Sequence, residues 1–268
     1  MKRKKGKKPS VRGILYCVIF MGFILFNSLG IKNGLFPENN IDSTYLDTRD
    51  LPEYTGSPYV TINDNEPEFD AEDYGTQPFE SYSSLDDLGR CGTVYANIGI
   101  ELMPTEERES ISQVHPTGWQ SVTYDGIDGE YLYNRCHLIG FQLTGENAND
   151  RNLITGTRYM NVEGMLPFEN QVADYIRSTG NHVLYRATPF FEGNDLVAKG
   201  VQIEAGSVED QGRGISFNVY VFNVQPGIEI DYATGKSRQY SNNEGASGSV
   251  ENNSLEAFFE RRWALALP

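Results

Sequence analysis

Alternating apolar and polar positions mark out strands along most of the chain. Tyr59-Val60-Thr61-Ile62-Asn63 and Thr93-Val94-Tyr95-Ala96-Asn97-Ile98 are β-branched and aromatic runs, separated by an acidic loop that reaches to about Ser84. Residues 120–124 and 131–133 flank Asp125-Gly126-Ile127-Asp128-Gly129, whose two Asp-Gly pairs favour positive φ and a tight connection. Asn152-Leu153-Ile154 reads as a short apolar strand. From Arg158 to Arg177 the spacing turns helical, with Pro167 suited to a first turn or a kink. Three further strand runs follow at 182–188, 196–204 and 215–224. Strands before and after one helical block predict an α+β domain on a mostly antiparallel sheet.

The ends have a different texture. Residues 1–31 open with Lys2, Arg3, Lys4, Lys5, Lys7, Lys8 and Arg12 and continue into Ile14-Leu15-Tyr16-Cys17-Val18-Ile19-Phe20-Met21-Gly22-Phe23-Ile24-Leu25-Phe26. A basic flank before an apolar run of this length is the pattern of a signal peptide or a single membrane anchor, and it sends the rest of the chain across the membrane. An extracytoplasmic protein is therefore expected, anchored if this segment is uncleaved and secreted if it is removed at the small residues around Ser28-Leu29-Gly30. Residues 32–56 are acidic and turn-rich, as a linker is. The folded domain is expected over 57–235. The tail at 236–268 is low in complexity, apart from an apolar stretch around Phe258, Phe259 and Trp263 whose role the sequence does not reveal.

Charge narrows the function classes. The formal net charge is -15, and the basic leader makes the remainder more acidic still. Nucleic-acid affinity comes largely from Lys and Arg displacing counterions, so a broad basic footprint is excluded and any nucleic-acid chemistry must rest on a local site. Cys91 and Cys136 are the only cysteines outside the apolar leader. In an oxidising compartment such a pair is compatible with a disulfide or with two buried thiols. No G-x-S-x-G elbow, P-loop or H-E-x-x-H motif occurs, and the histidines form no zinc-ligand pattern.

Of the histidines, His115 and His182 receive no role, whereas His137 lies in Tyr133-Asn134-Arg135-Cys136-His137-Leu138-Ile139-Gly140 at the end of an expected strand. A second strand and a helix start follow in Asn152-Leu153-Ile154-Thr155-Gly156-Thr157-Arg158-Tyr159-Met160-Asn161. On a helix Arg158 and Asn161 share a face. A base for water, a cation at the phosphate and donors for developing charge are what phosphodiester hydrolysis requires.

These stretches resemble the DNA/RNA non-specific endonuclease family, whose ββα-metal (His-Me finger) core carries Asp-Arg-Gly-His on a strand and a metal-binding Asn on the following helix. The resemblance runs over about 57–235. It implies His137 as general base, Asn161 as the protein ligand of a Mg²⁺ for which Mn²⁺ can substitute, and Glu169 as a carboxylate at the metal's water. It further implies Arg135 as the motif arginine and Asn152 as an accessory active-site amide; Arg158, read from its place beside Asn161, is a candidate phosphate contact or a residue that only covers the helix. DNA, with RNA as an alternative, is then the substrate, and no protein partner can be inferred. Here Asn134 replaces the motif's Asp and Cys136 its Gly, which would let Cys91 tether the strand end. The alternative is a non-catalytic surface protein that binds nucleic acid on the same fold.

Overall fold

The computed structural model describes residues 51–240. The basic leader, the apolar segment, most of the expected linker and the apolar stretch of the tail lie outside the described residues. Among the described residues, no helix is long and apolar enough to cross a membrane.

Six strands form one antiparallel sheet in the order β1-β8-β7-β6-β3-β2. They are β1 (Tyr59–Thr61), β2 (Phe79–Tyr82), β3 (Val94–Ile98), β6 (Val183–Phe190), β7 (Gly200–Ser207) and β8 (Ser216–Phe222). Two further strands, β4 (Tyr133–His137) and β5 (Leu153–Thr157), pair only with each other, with His137 opposite Leu153. A short helix α1 (Phe141–Thr144) lies between them, and a π-helical turn (Met160–Met165) after β5 runs into α2 (Leu166–Thr179). A last hairpin, β9 (Ile228–Ile230) with β10 (Ser237–Gln239), closes the described chain.

The period-two pattern of the long strands explains the layering. Val183, Tyr185 and Ala187 of β6, Val201, Ile203 and Ala205 of β7, and Phe217, Val219 and Val221 of β8 project to one face. There they meet Phe168, Val172, Ala173 and Ile176 of α2, together with Cys136, Ile154 and Met160 from the β4–β5 unit. Burying a large apolar side chain contributes roughly 1.5–3 kcal/mol, so the sheet face is what holds the β4–β5 unit and α2 in place.

The opposite face carries a buried polar cluster. Arg186 Nε donates to Glu204 Oε2 at 2.7 Å, and Glu204 Oε1 accepts from the Glu68 amide at 2.9 Å. The guanidinium also lies over the Phe69 ring at 5.0 Å. These contacts tie the 62–74 segment across the sheet.

Several elements differ from the sequence expectation. The acidic stretch before Ser84 contains β2, an edge strand whose Phe79 packs edge-on to Tyr95. The expected pair 120–124 and 131–133 is joined only by the bridge Thr123↔Tyr131. Gly126 and Gly129 do take positive φ (87° and 73°), but Tyr133 pairs forward with Thr157 instead of back across the loop. The expected helix over 158–177 is broken into a π turn and α2. Pro167 has no N–H to continue the ladder and sits in the first turn of α2. Gly164 packs on Val221, where a Cβ would stand 2.4 Å from Cγ1.

Glu204 is 3% exposed and neutralises Arg186. Glu204→Ala leaves that guanidinium without its partner and is expected to lower unfolding free energy by roughly 3 kcal/mol, read as a shifted urea midpoint. Glu204→Gln, which keeps an acceptor, should lose less.

Candidate active site

The strand pairing of β4 and β5 decides where His137 sits. Leu138 N–H donates to the Asn152 carbonyl at 2.9 Å just beyond the ladder. The Asn152 side chain then closes a second clamp: its Oδ1 accepts from Ile139 N–H at 2.9 Å, and its Nδ2 donates to the Ile139 carbonyl at 3.0 Å. His137 is thus the last strand residue before a segment fixed on both sides.

Its ring is buried, 6% exposed, at the inner wall of an open cleft of about 700 Å³. Nε2 lies 2.8 Å from the Asn147 carbonyl. A carbonyl only accepts, so Nε2 carries the proton and Nδ1 presents the lone pair. Arg108 Nη2 donates to that Nδ1 at 3.4 Å. Burial holds the imidazole's pKa down, at about 4; the carbonyls of Asn147 and Glu146 oppose this and the Arg108 charge reinforces it. The ring is therefore neutral at ordinary pH, with a free base nitrogen beside a guanidinium.

Other expected residues meet His137 in the same cleft: Asn134, Arg135, Arg158, Asn161 and Glu169. The π turn places Asn161, whose carbonyl accepts from Leu166 N–H five residues on. Among the described residues nothing hydrogen-bonds the Asn161 side-chain amide. Glu169 comes from the first turn of α2, and its carboxylate lies against Gly140, where a Cβ would stand 2.3 Å from Oε2. Burial pushes the Glu169 carboxyl up to about 7, against the lowering effects of Gln142 and Arg108. An unpartnered amide and a carboxylate short of positive charge fit a divalent cation. Among the described residues no three His, Cys, Asp or Glu converge to hold a metal, so such an ion would keep most of its waters, as Mg²⁺ commonly does.

Two arginines are engaged with the protein itself. Arg135 lies over the Trp119 ring at 4.0 Å, and its Nη2 donates to the Ser112 carbonyl at 2.8 Å, so it braces the 112–119 wall. Arg158 is paired through Nη2 with Asp128 at 2.6 Å, while its buried Nε has no partner.

One sequence expectation changes, and one choice that the sequence left open is decided. Asn152 does not line the cleft; it is fully buried beneath it and works on backbone. Cys91 and Cys136 are both free. The Cys91 thiol is taken up by the Asp150 and Leu153 carbonyls, each at 3.2 Å, and Cys136 Sγ faces Gly156 and Met160 across the ladder. The sequence reading missed Arg108 and the Asn147 carbonyl. Arg108 did carry a signal, as the one cation between Arg90 and Arg135.

The model of the DNA/RNA non-specific endonuclease family matches residues 71–209. The chain belongs to that family. A deoxyribonuclease of Streptococcus dysgalactiae subsp. equisimilis is 33% identical over 110 residues, which cover 39% of this chain and 32% of that protein. The chain thus spans about a third of the length of this curated relative. Two solved structures are similar in fold. NucA from Streptococcus agalactiae with magnesium ion bound aligns with a TM-score of 0.62 and 25% identity, over 71% of this chain and 91% of NucA. Sda1 nuclease with bound zinc ion aligns at 0.56 and 26%, over 69% and 97%. Both fit the ββα arrangement seen here in β4, β5 and the π turn.

The Asn152 clamp gives a direct test. Asn152→Ala strands the Ile139 N–H and carbonyl in a buried setting, at roughly 1–3 kcal/mol for each group. A lower denaturation midpoint is expected, together with a rise in the His137 imidazole pKa measured by NMR as the ring loses its fixed, buried position.

Proposed function

We propose that this domain is a metal-dependent endonuclease that hydrolyses phosphodiester bonds of DNA, and of RNA, with little regard to sequence. The observation that carries the reading is the His137 tautomer: a neutral imidazole with Nε2–H committed to the Asn147 carbonyl and the Nδ1 lone pair turned to Arg108, in a cleft that also holds Asn161. A binding module has no use for a buried histidine so arranged.

In this reading His137 Nδ1 accepts a proton from the water that attacks phosphorus. Nε2–H stays on the Asn147 carbonyl throughout and fixes the ring plane, as a donor–acceptor pair behind a base does. Arg108, which now donates to Nδ1, is placed to turn its N–H groups to a phosphate oxygen as substrate enters. Asn161 and Glu169 are the residues that would hold Mg²⁺, with Mn²⁺ as a substitute, and the ion would supply Lewis-acid stabilisation of charge on the phosphate. Arg135 holds the cleft wall, and Arg158 offers a further cation beside it. Contacts of this kind go to phosphate and sugar and carry no sequence information. Water, not a 2′-hydroxyl, is the nucleophile, so both DNA and RNA are open to the same chemistry.

The basic leader and apolar run at 1–31 support an extracytoplasmic setting, anchored or secreted, with the catalytic domain over 57–235. The resemblance of this chain to streptococcal nucleases in fold is consistent with the assignment.

Plasmid cleavage by the full chain tests the reading. His137→Ala is expected to lower turnover by about 10²–10⁴-fold while leaving the circular dichroism spectrum of the parent, with a lower melting temperature because the Asn147 carbonyl loses its donor. EDTA should abolish cleavage and added Mg²⁺ restore it. A folded protein that leaves DNA and RNA intact in both Mg²⁺ and Mn²⁺ would instead support the binding-protein alternative.

The pH profile is a separate check. Because burial lowers the His137 pKa to about 4, the base form persists in mild acid. At saturating metal, the limb of kcat/KM belonging to His137 is expected near pH 4. A His137-dependent limb near the free imidazole value of about 6.5 would mean that the ring is not buried as described.

A further inference from the structure

The domain has an uneven charge map. Across residues 51–240, 11 Lys and Arg stand against 29 Asp and Glu, yet three of those cations (Arg108, Arg135 and Arg158) line the one cleft. Acidic residues flank the cleft's cations along the chain. Glu106, Glu107 and Glu109 are exposed next to Arg108, and Asp125, Asp128 and Glu130 are exposed just before Tyr131, with Asp128 paired to Arg158. Duplex DNA carries one charge per roughly 1.7 Å of its axis. A duplex seated on this opening brings that charge against a surface on which exposed carboxylates outnumber cations. A single strand has half that charge density and can enter with its bases turned away from its phosphates.

The cleft also presents a surface for such a base. Tyr131 lines it and is 54% exposed, among the most exposed large side chains of the described domain. Among the described residues, its ring has no aromatic partner and its hydroxyl no hydrogen bond. The backbone next to it is rigidly placed, since Arg158 N–H donates to the Leu132 carbonyl at 2.8 Å and Thr123 bridges Tyr131. An aromatic ring without a partner and the Arg158 guanidinium therefore line the same cleft. One nucleotide offers both complements, a base for the ring and a phosphate for the cation.

We infer that Tyr131 is a base-stacking platform and that the cleft selects single-stranded or locally unpaired nucleic acid over intact duplex. This rests on the phosphodiesterase reading for its biological meaning, but it concerns binding and is testable without turnover. Base–aromatic stacking is worth about 1–3 kcal/mol per base, which corresponds to roughly 5–150-fold in affinity. The Arg158–Asp128 pair holds that guanidinium in place, and the surrounding exposed carboxylates supply the discrimination against duplex.

The test uses the full chain in EDTA with a fluorescein-labelled 12-residue deoxy strand, followed by anisotropy. The same strand paired in a hairpin, and the same strand with abasic residues at its centre, are the comparisons. The intact single strand is expected to bind at least about fivefold more tightly than either. Tyr131→Ala should weaken the intact strand to the level of the abasic one and leave the abasic one unchanged, and Tyr131→Phe should bind as the parent does. Equal affinity for strand and hairpin, or an equal loss on intact and abasic strands, would overturn the inference. Cleavage of circular single-stranded DNA in Mg²⁺ by the same preparation is scored separately. Its absence counts against the nuclease reading, and the anisotropy result decides the platform.

Discussion

The paired hydrogen bonds between the Asn152 side chain and the Ile139 backbone are the contact on which the site depends. β4 and β5 pair with nothing but each other, so their register is not reinforced by a wider sheet. A slip of one residue would turn every side chain of β4 to the other face, exchanging His137 for Cys136 at the cleft. The Asn152 amide prevents this by satisfying both polar groups of one residue past the strand end, in a place where water cannot substitute. The Asn147 carbonyl can fix the imidazole only because the chain has been brought back at that register.

Around that fixed point, the cleft gathers groups with opposite needs. The imidazole is kept neutral by burial, and the Glu169 carboxyl is pushed toward neutrality by the same cause. Cations are drawn from separate elements: the 104–114 loop, β4 and the residue that follows β5. No single element could supply this set. The main sheet, with α2 packed on one face, contributes none of the cleft's cations and serves as the platform that aligns the elements which do.

The sequence made most of the strands legible because their inward residues alternate strictly, as in Val183, Tyr185 and Ala187. β2 was hidden because it lies at the sheet edge among acidic and turn residues, where only Phe79 and Tyr82 are apolar. The π turn was hidden because its residues read as ordinary helix; only Gly164 and Pro167 hint at a break, and neither specifies its hydrogen-bond pattern. In the site, the family motif located His137, Asn161 and Glu169 in the cleft, but it also assigned Asn152 to the cleft instead of its floor. The Arg108 contact depends on how a long irregular loop folds back over β4. That is a tertiary outcome with no local periodicity to betray it. The cysteine pair stayed open because chain position and compartment fit a bond and two buried thiols equally, and only the packing shows that both are free, with Cys91 on the Asp150 and Leu153 carbonyls and Cys136 against Gly156.

Those free thiols also determine what the domain asks of its surroundings. Burial holds the Cys91 thiol's pKa up, at about 12, and pushes Cys136 higher still, so neither side chain is a ready thiolate. Among the described residues the fold is closed by packing, hydrogen bonds and ion pairs, with no disulfide. Reductants that would dismantle a disulfide-stapled enzyme leave its architecture nothing to lose.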